Sequence, residues 1–195
     1  MRPWKPLLIL LLAAAALNIC AAGGFADESG GAAVDEVSLR REKDILLVDF
    51  SVKNAISTQL TETLDSGLPV RFVYNVRLVR KAGALTSGTL SNIKFERVLE
   101  KDNLKNRYRI SEKSETSDVG DLNSAVGSLC RVVGLEVAPL LDILPEKKYQ
   151  VEIQVKLEEF RLPFHLHQLL PFLSLWDQTT PWKIVRLPQE ILQKP

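Results

Sequence analysis

Cysteine is almost missing from this chain: among its 195 residues there are only Cys20 and Cys130. That excludes a disulfide-rich scaffold and a four-cysteine zinc site. Histidine is equally scarce. His165 and His167 are the only two, so there is no second histidine cluster to complete a metal site. A charge of one sign is missing too. Lys plus Arg number 25 and Asp plus Glu 24, for a formal net charge of +1. The chain therefore has neither the basic excess of a nucleic-acid binder nor an acidic tail. Its longest apolar run, Leu7 to Leu17, is short of a comfortable membrane span. What is present is ordinary for a globular domain. Hydrophobic residues make up 46% and charged residues 25%, which excludes disorder throughout.

The N-terminus reads as an export signal. Arg2 and Lys5 supply a positive region, "LLILLLAAAAL" the apolar core, and "GFA" small residues at the −3 and −1 positions of a cleavage site. Residues 1–26 are thus expected to be a signal peptide cleaved after Ala26. An uncleaved anchor is the rival reading. Lipidation at Cys20 is less favoured, because bulky Ile19 precedes it. Cleavage would remove Arg2, Lys5 and Cys20. The mature chain would then have 23 cations against 24 acids, from the 25 and 24 of the full chain, and a lone Cys130 that cannot form an internal disulfide. The expected location is the periplasm or the cell envelope.

Residues 27–36, "DESGGAAVDE", read as a flexible lead-in, with one domain over 37–188 and a polar tail over 189–195. "ILLVDFSVKN" alternates Leu46, Val48, Phe50 and Val52 onto one face of a strand. Ser57 is a plausible helix cap. Ile56, Leu60 and Leu64 follow at helical spacing, and Gly67 fits the C′ position. "VRFVYNVRLVRK" is the clearest strand, followed by a return over "TLSNIKFERVLEKD" and a third strand at "RYRISEK". Val119, Leu122, Val126, Leu129, Cys130 and Val133 then form a helical stripe closed by Gly134, with Ser117 or Asp118 as cap. "YQVEIQVKLEEF" and the shorter "WKIVRLP" are the last strands. The fold class predicted is α+β: an antiparallel, largely meander sheet with two short amphipathic helices on its apolar face. A β-sandwich with inserted helices is the alternative.

Candidate chemical motifs fail on inspection. Gly83 and Gly88 have the spacing of a phosphate-binding loop, but Thr89 and Leu90 stand where Lys and Ser or Thr are needed. Cys130 lies on an apolar helical stripe and reads as a buried structural thiol. His165 and His167 could face one ion from an extended segment, with Glu158, Glu159 or Asp177 as third ligand; histidines in a loop are the blander reading. Ser174, His167 and Asp177 contain the residue types of a hydrolase triad, without sign of an oxyanion hole. Arg71, Arg77 and Lys81 share one strand face, with Arg80 on the other. That stripe could meet an acidic partner or anionic headgroups. A solvated face with ion pairs to Lys94, Glu96, Gln154 and Lys156 on neighbouring strands is the preferred reading. No catalytic residue, metal or cofactor is assigned, and no enzymatic activity is expected.

Two long stretches resemble a known family. They are "LLVDFSVKNAISTQLTETLDSGLPVRFVYNVRLVRK" and "KKYQVEIQVKLEEFRLPFHLHQLLPFLSLWDQTTPWKIVRLP". A strand, a helix ending at Gly, a long strand ending in basic residues and a Trp-led last strand follow in the order seen in bacterial exported proteins grouped as domain of unknown function 4390. The resemblance spans roughly residues 37 to 188. It implies a bacterial envelope protein with an α+β domain, and it brings no catalytic residues. One departure is the "RLPQE" after the last strand, where the family usually has a further polar-aromatic position.

The segment "RLPFHLHQLLPFLSLW", residues 161–176, is too short and too polar to span a membrane. It is read first as part of the core, closing an open end of the sheet. It is read second as a docking patch of Leu166, Leu169, Leu170, Phe172, Leu175 and Trp176 for an envelope protein partner. The third reading is a peripheral membrane contact. The function expected is a non-enzymatic protein-binding or accessory module. The alternative is a carrier or sensor for a small apolar ligand, and the remote alternative a His-based metal-dependent enzyme.

Overall fold

Alternation of apolar and polar side chains fixes which face of each strand turns inward, because successive residues of a strand point to opposite sides. The computed structural model describes residues 31–82, 86–159 and 178–192. Strands β1 (Ala33–Glu42) and β2 (Ile45–Lys53) form a hairpin, and β7 (Arg131–Pro139) joins the other side of β2. A second sheet contains β3 (Val70–Ala82), β4 (Thr86–Asp102), β5 (Arg107–Glu112), β6 (Glu115–Val119), β8 (Lys148–Glu159), β9 (Gln178–Thr179) and β10 (Lys183–Arg186). Its order is β10-β8-β3-β4-β5-β6, with β9 also on β8, and every pairing is antiparallel. Strands β3 to β5 are the expected meander, and polar β6 extends it by a strand the sequence reading did not contain.

Two helices close the inner face. Helix α1 (Thr58–Asp65) starts where the Ser57 hydroxyl accepts from the Leu60 N–H at 3.2 Å, satisfying a donor the first turn leaves free. It ends in a Schellman motif, with the Gly67 N–H on the Leu64 carbonyl and the Leu68 N–H on Thr63. Gly67 takes φ +78°, which its missing Cβ makes inexpensive. Leu60 and Leu64 are buried, whereas Ile56, expected on the same stripe, precedes the helix and is exposed. Helix α2 (Leu122–Cys130) buries Ala125, Val126, Leu129 and Cys130.

The α+β expectation holds, with a correction to what covers the meander sheet. The three-stranded sheet, besides the helices, contributes to the same core: Leu46, Val48 and Phe50 belong to one cluster with Phe72, Tyr74 and Ile153. Tyr74 stacks on Phe95 at 4.5 Å between ring centroids and meets Phe50 at 6.4 Å. Arg97, also on the inner face of β4, lies over Tyr74 and Phe95. Its guanidinium donates to Glu112 at 2.7 Å and to the Arg131 carbonyl at 3.1 Å, where α2 has just ended. A cation at a helix C-terminus is favourable against the helix dipole.

Four boundaries differ from the sequence reading. Gln189–Leu192, read as part of a polar tail, form a short helix whose half-buried Ile191 and Leu192 pack against the core. Ala33 to Glu36, read as lead-in, begin β1, and Val34 is buried. The cap of α2 is Asp121, which accepts from the Ser124 N–H at 2.9 Å, in place of Ser117 or Asp118. The helix also stops at Cys130. Val133 lies in β7 and is 64% exposed, and Gly134, at φ +71°, sits at an irregularity in the β2–β7 register instead of ending a helix.

Candidate functional site

The outer face of the larger sheet is where the polar half of each alternating strand emerges. Arg77 of β3 stands directly opposite Glu152 of β8, and the two pair at 2.7 Å. The other carboxylate oxygen of Glu152 accepts from the Gln150 amide at 2.6 Å. Gln150 is only 7% exposed, so this bond keeps a buried amide satisfied. Trp182, just before β10, covers the Arg77 guanidinium with its ring centroid 3.9 Å away. Arg71 pairs with Glu96 at 3.6 Å, and Lys156 with Glu158 at 2.9 Å. Arg71 and Arg77 of the basic stripe are therefore paired with acids on neighbouring strands, as the preferred reading had it, whereas Lys81 has no ion pair among the described residues.

Among the described residues, β10 is the last strand on its side of the sheet. The Leu187 N–H donates to the Tyr149 carbonyl just beyond β10, which sets the alternation of the ladder. Lys183 and Val185 are therefore in the hydrogen-bonded pairs with β8, while the N–H groups of Ile184 and Arg186 turn outward. Ile184 is 55% exposed and Trp182 36%, so two large apolar side chains stand two residues apart along this edge. Thr180 fixes the approach to β10. Its hydroxyl accepts from the Val155 N–H at 2.9 Å and its own N–H donates to the Val155 carbonyl.

Where β3, β8 and β10 run out together, a pocket of about 350 Å³ opens, lined by Lys81, Lys148, Tyr149, Gln150, Arg186 and Leu187, with Gln189 at its side. Tyr149 and Leu187 are buried, and the three cations are exposed. Among the described residues, no carboxylate lines it.

The other sequence candidates separate into two groups. Leu166, Leu169, Leu170, Phe172, Leu175 and Trp176 all lie outside the described residues, as do His165, His167, Ser174 and Asp177. The chain leaves β8 after Glu159, the register partner of Val70, and re-enters at Gln178, opposite Leu157. Both points are at the end of the sheet away from Lys81 and Lys148. Among the remaining candidates, Glu158 is engaged by Lys156. Cys130 is buried, and burial pushes its thiol up to about 11, so it stays protonated at neutral pH. Among the described residues no three His, Cys, Asp or Glu side chains gather as a metal site. No helix among them is long and apolar enough to cross a membrane.

Fold and surface together define a two-sheet α+β domain in which, among the described residues, β10 has no outer strand neighbour and a basic pocket lies beside it. A family model described as Domain of unknown function (DUF4390) matches residues 29–186, and the chain belongs to that family. No curated protein and no solved structure matches it.

Proposed function

We propose that this chain is an exported, non-enzymatic binding module of the bacterial envelope, and that it takes an extended segment of a partner protein along β10. Support for export is the N-terminal sequence, with Arg2 and Lys5 ahead of an apolar run and small residues before Asp27. The observation that carries the binding role is the open edge of β10, with outward N–H groups and the exposed Trp182 and Ile184. Strand addition draws affinity from main-chain bonds along such an edge and specificity from alternate side chains.

The other edges suit this less. Strand β6, "ETSDV", is short and acidic, β1 is broken by an irregularity between Asp35 and Ser38 with Glu36 at φ +47°, and β7 is irregular around Gly134, at φ +71°, and ends on Pro139. Charge and bulges of this kind discourage pairing. A segment with apolar residues at alternate positions would face Trp182 and Ile184.

The test is photocrosslinking in bacterial cells from a probe residue at Arg186, with a second probe at Thr116 of β6 as comparison. The expected result is one dominant adduct from position 186 that maps to a single extended peptide. Ile184→Pro should abolish it while leaving the domain folded, because it deletes an outward N–H and none that bonds to β8. Ile184→Thr should retain the adduct. Equal adducts from both probes, or an adduct indifferent to Ile184→Pro, would overturn the edge reading. Intact-mass analysis of the envelope fraction should find a chain beginning at Asp27.

A further inference from the structure

Lys81 of β3 and Lys148 of β8 are direct register partners. Like charges placed opposite each other on an antiparallel pair destabilise it. Elsewhere on this face the sheet answers such charges with acids, as at Arg77 and Glu152. Here it does not. Among the described residues, Lys81, Lys148 and Arg186 form no ion pair. The carboxylate next along the face of β8, Glu152, has one oxygen on Arg77 and the other on Gln150. All three cations line one pocket of about 350 Å³, whose remaining wall is the buried Tyr149, Gln150 and Leu187 with the exposed Gln189.

We propose that this pocket binds a phosphate monoester, with Lys81, Lys148 and Arg186 supplying the countercharge. The choice among anions follows from charge and shape. Three cations exceed what one carboxylate neutralises, whereas a phosphate monoester carries about −1.5 to −2 at neutral pH and three acceptor oxygens. Arg186 offers a planar fork suited to phosphate oxygens, and the two ammonium groups act as point charges. The volume lies near the lower end of small-molecule sites, about 300–1,000 Å³, which suits a headgroup and not a folded partner. The phosphate can belong to a soluble ester or to a lipid, and the pocket chemistry is the same for both. The site adjoins the β10 edge and shares Arg186 with it, through the side chain here and the outward N–H there; neither reading requires the other.

The test uses the protein as purified from its cells, in two arms. Inorganic phosphate is titrated by equilibrium dialysis, and phosphatidylcholine vesicles carrying phosphatidic acid are used in co-sedimentation. Lys81→Gln, Lys148→Gln and Arg186→Gln are combined in a triple variant, with Lys105→Gln as a surface control. Saturable phosphate binding lost in the triple variant supports a soluble ester. Vesicle binding lost in that variant, with free phosphate unbound, supports a lipid source. Each charge removed singly should weaken binding about fivefold. Thermal unfolding provides a second reading: without ligand, Lys148→Gln should raise the midpoint by relieving repulsion, and with the anion added wild type should gain more than Lys148→Gln and the triple variant should gain nothing. Binding unchanged in the triple variant, or no binding of either probe to wild type, would overturn the assignment.

Discussion

The Tyr74 hydroxyl donates a 2.7 Å hydrogen bond to the carbonyl of Leu129, joining the centre of β3 to the last turn of α2 across 55 residues. Burial pushes the hydroxyl well above the usual tyrosine range, so it remains a donor at any pH the fold survives. Tyr74→Phe keeps the stacked ring and deletes the bond. The Leu129 carbonyl then retains only the 3.4 Å contact from Arg97. Loss of about 1–2 kcal/mol is expected in urea unfolding. An unchanged midpoint would show that the bond contributes nothing to holding α2.

Asp49 ties both strand neighbours of β2 together. One carboxylate oxygen takes the Arg40 Nε at 2.9 Å, and the other accepts from the Gly134 N–H. The hydrogen bond from Arg40 is the main cause that holds its carboxyl below the ordinary range. A lowered folded value means stability present above the unfolded pKa, about 3.9, and lost as pH falls through the folded one. Asp49→Asn should therefore be less stable than wild type at neutral pH, with the gap closing at acid pH. Asp35 and Asp121 are lowered too, so the variant keeps part of the acid loss. A gap independent of pH would count against the Arg40 bond as its source.

Gly134→Ala tests the irregularity in β7. A side chain there would have to accept φ +71°, and its Cβ would meet the Arg40 guanidinium at 3.4 Å. The expected cost is roughly 1–2 kcal/mol. It should be partly relieved by Arg40→Ala in a double-mutant cycle if the contact matters beyond the backbone.

Thr180 is 1% exposed, and its hydroxyl is the acceptor for the Val155 N–H. Thr180→Val preserves shape and orphans that donor, at an expected cost of about 1–3 kcal/mol. Thr180→Ser should recover most of it. Amide exchange at Val155 should accelerate in the valine variant and not in the serine one.

Much of the fold was legible in the sequence, because burial of one strand face writes a period of two. Val70, Phe72, Tyr74, Val76 and Leu78 read as one face and are all fully buried. Ser57 and Gly67 marked the ends of α1 by local backbone chemistry. Strand β7 was hidden for a physical reason. Val132 and Val133 continue the apolar spacing of α2, and only pairing with β2 pulls them into a strand. Polar β6 has no apolar face to write a period, and its residues take their place from β5. The shared outer face of Arg71, Arg77, Glu96 and Glu152 could be read from parity. The basic pocket could not. Lys81 and Lys148 meet only through the β3–β8 register, which links positions 67 residues apart by their numbers, and no local pattern encodes that partner.

That same register shapes how the chain reaches its native state. Strand β8 is a direct neighbour of β3, yet it is synthesised only after β4 to β7, α1 and α2 are complete. The Arg77–Glu152 pair spans 75 residues, so the larger sheet closes late and against a long loop entropy. Sheets built on such distant partners fold in milliseconds to seconds, slower than local helical bundles. Until β8 arrives, β3 keeps one edge open and the nascent chain stays pliable. For the export proposed above, delayed closure would leave a window in which the chain is threaded while still unfolded.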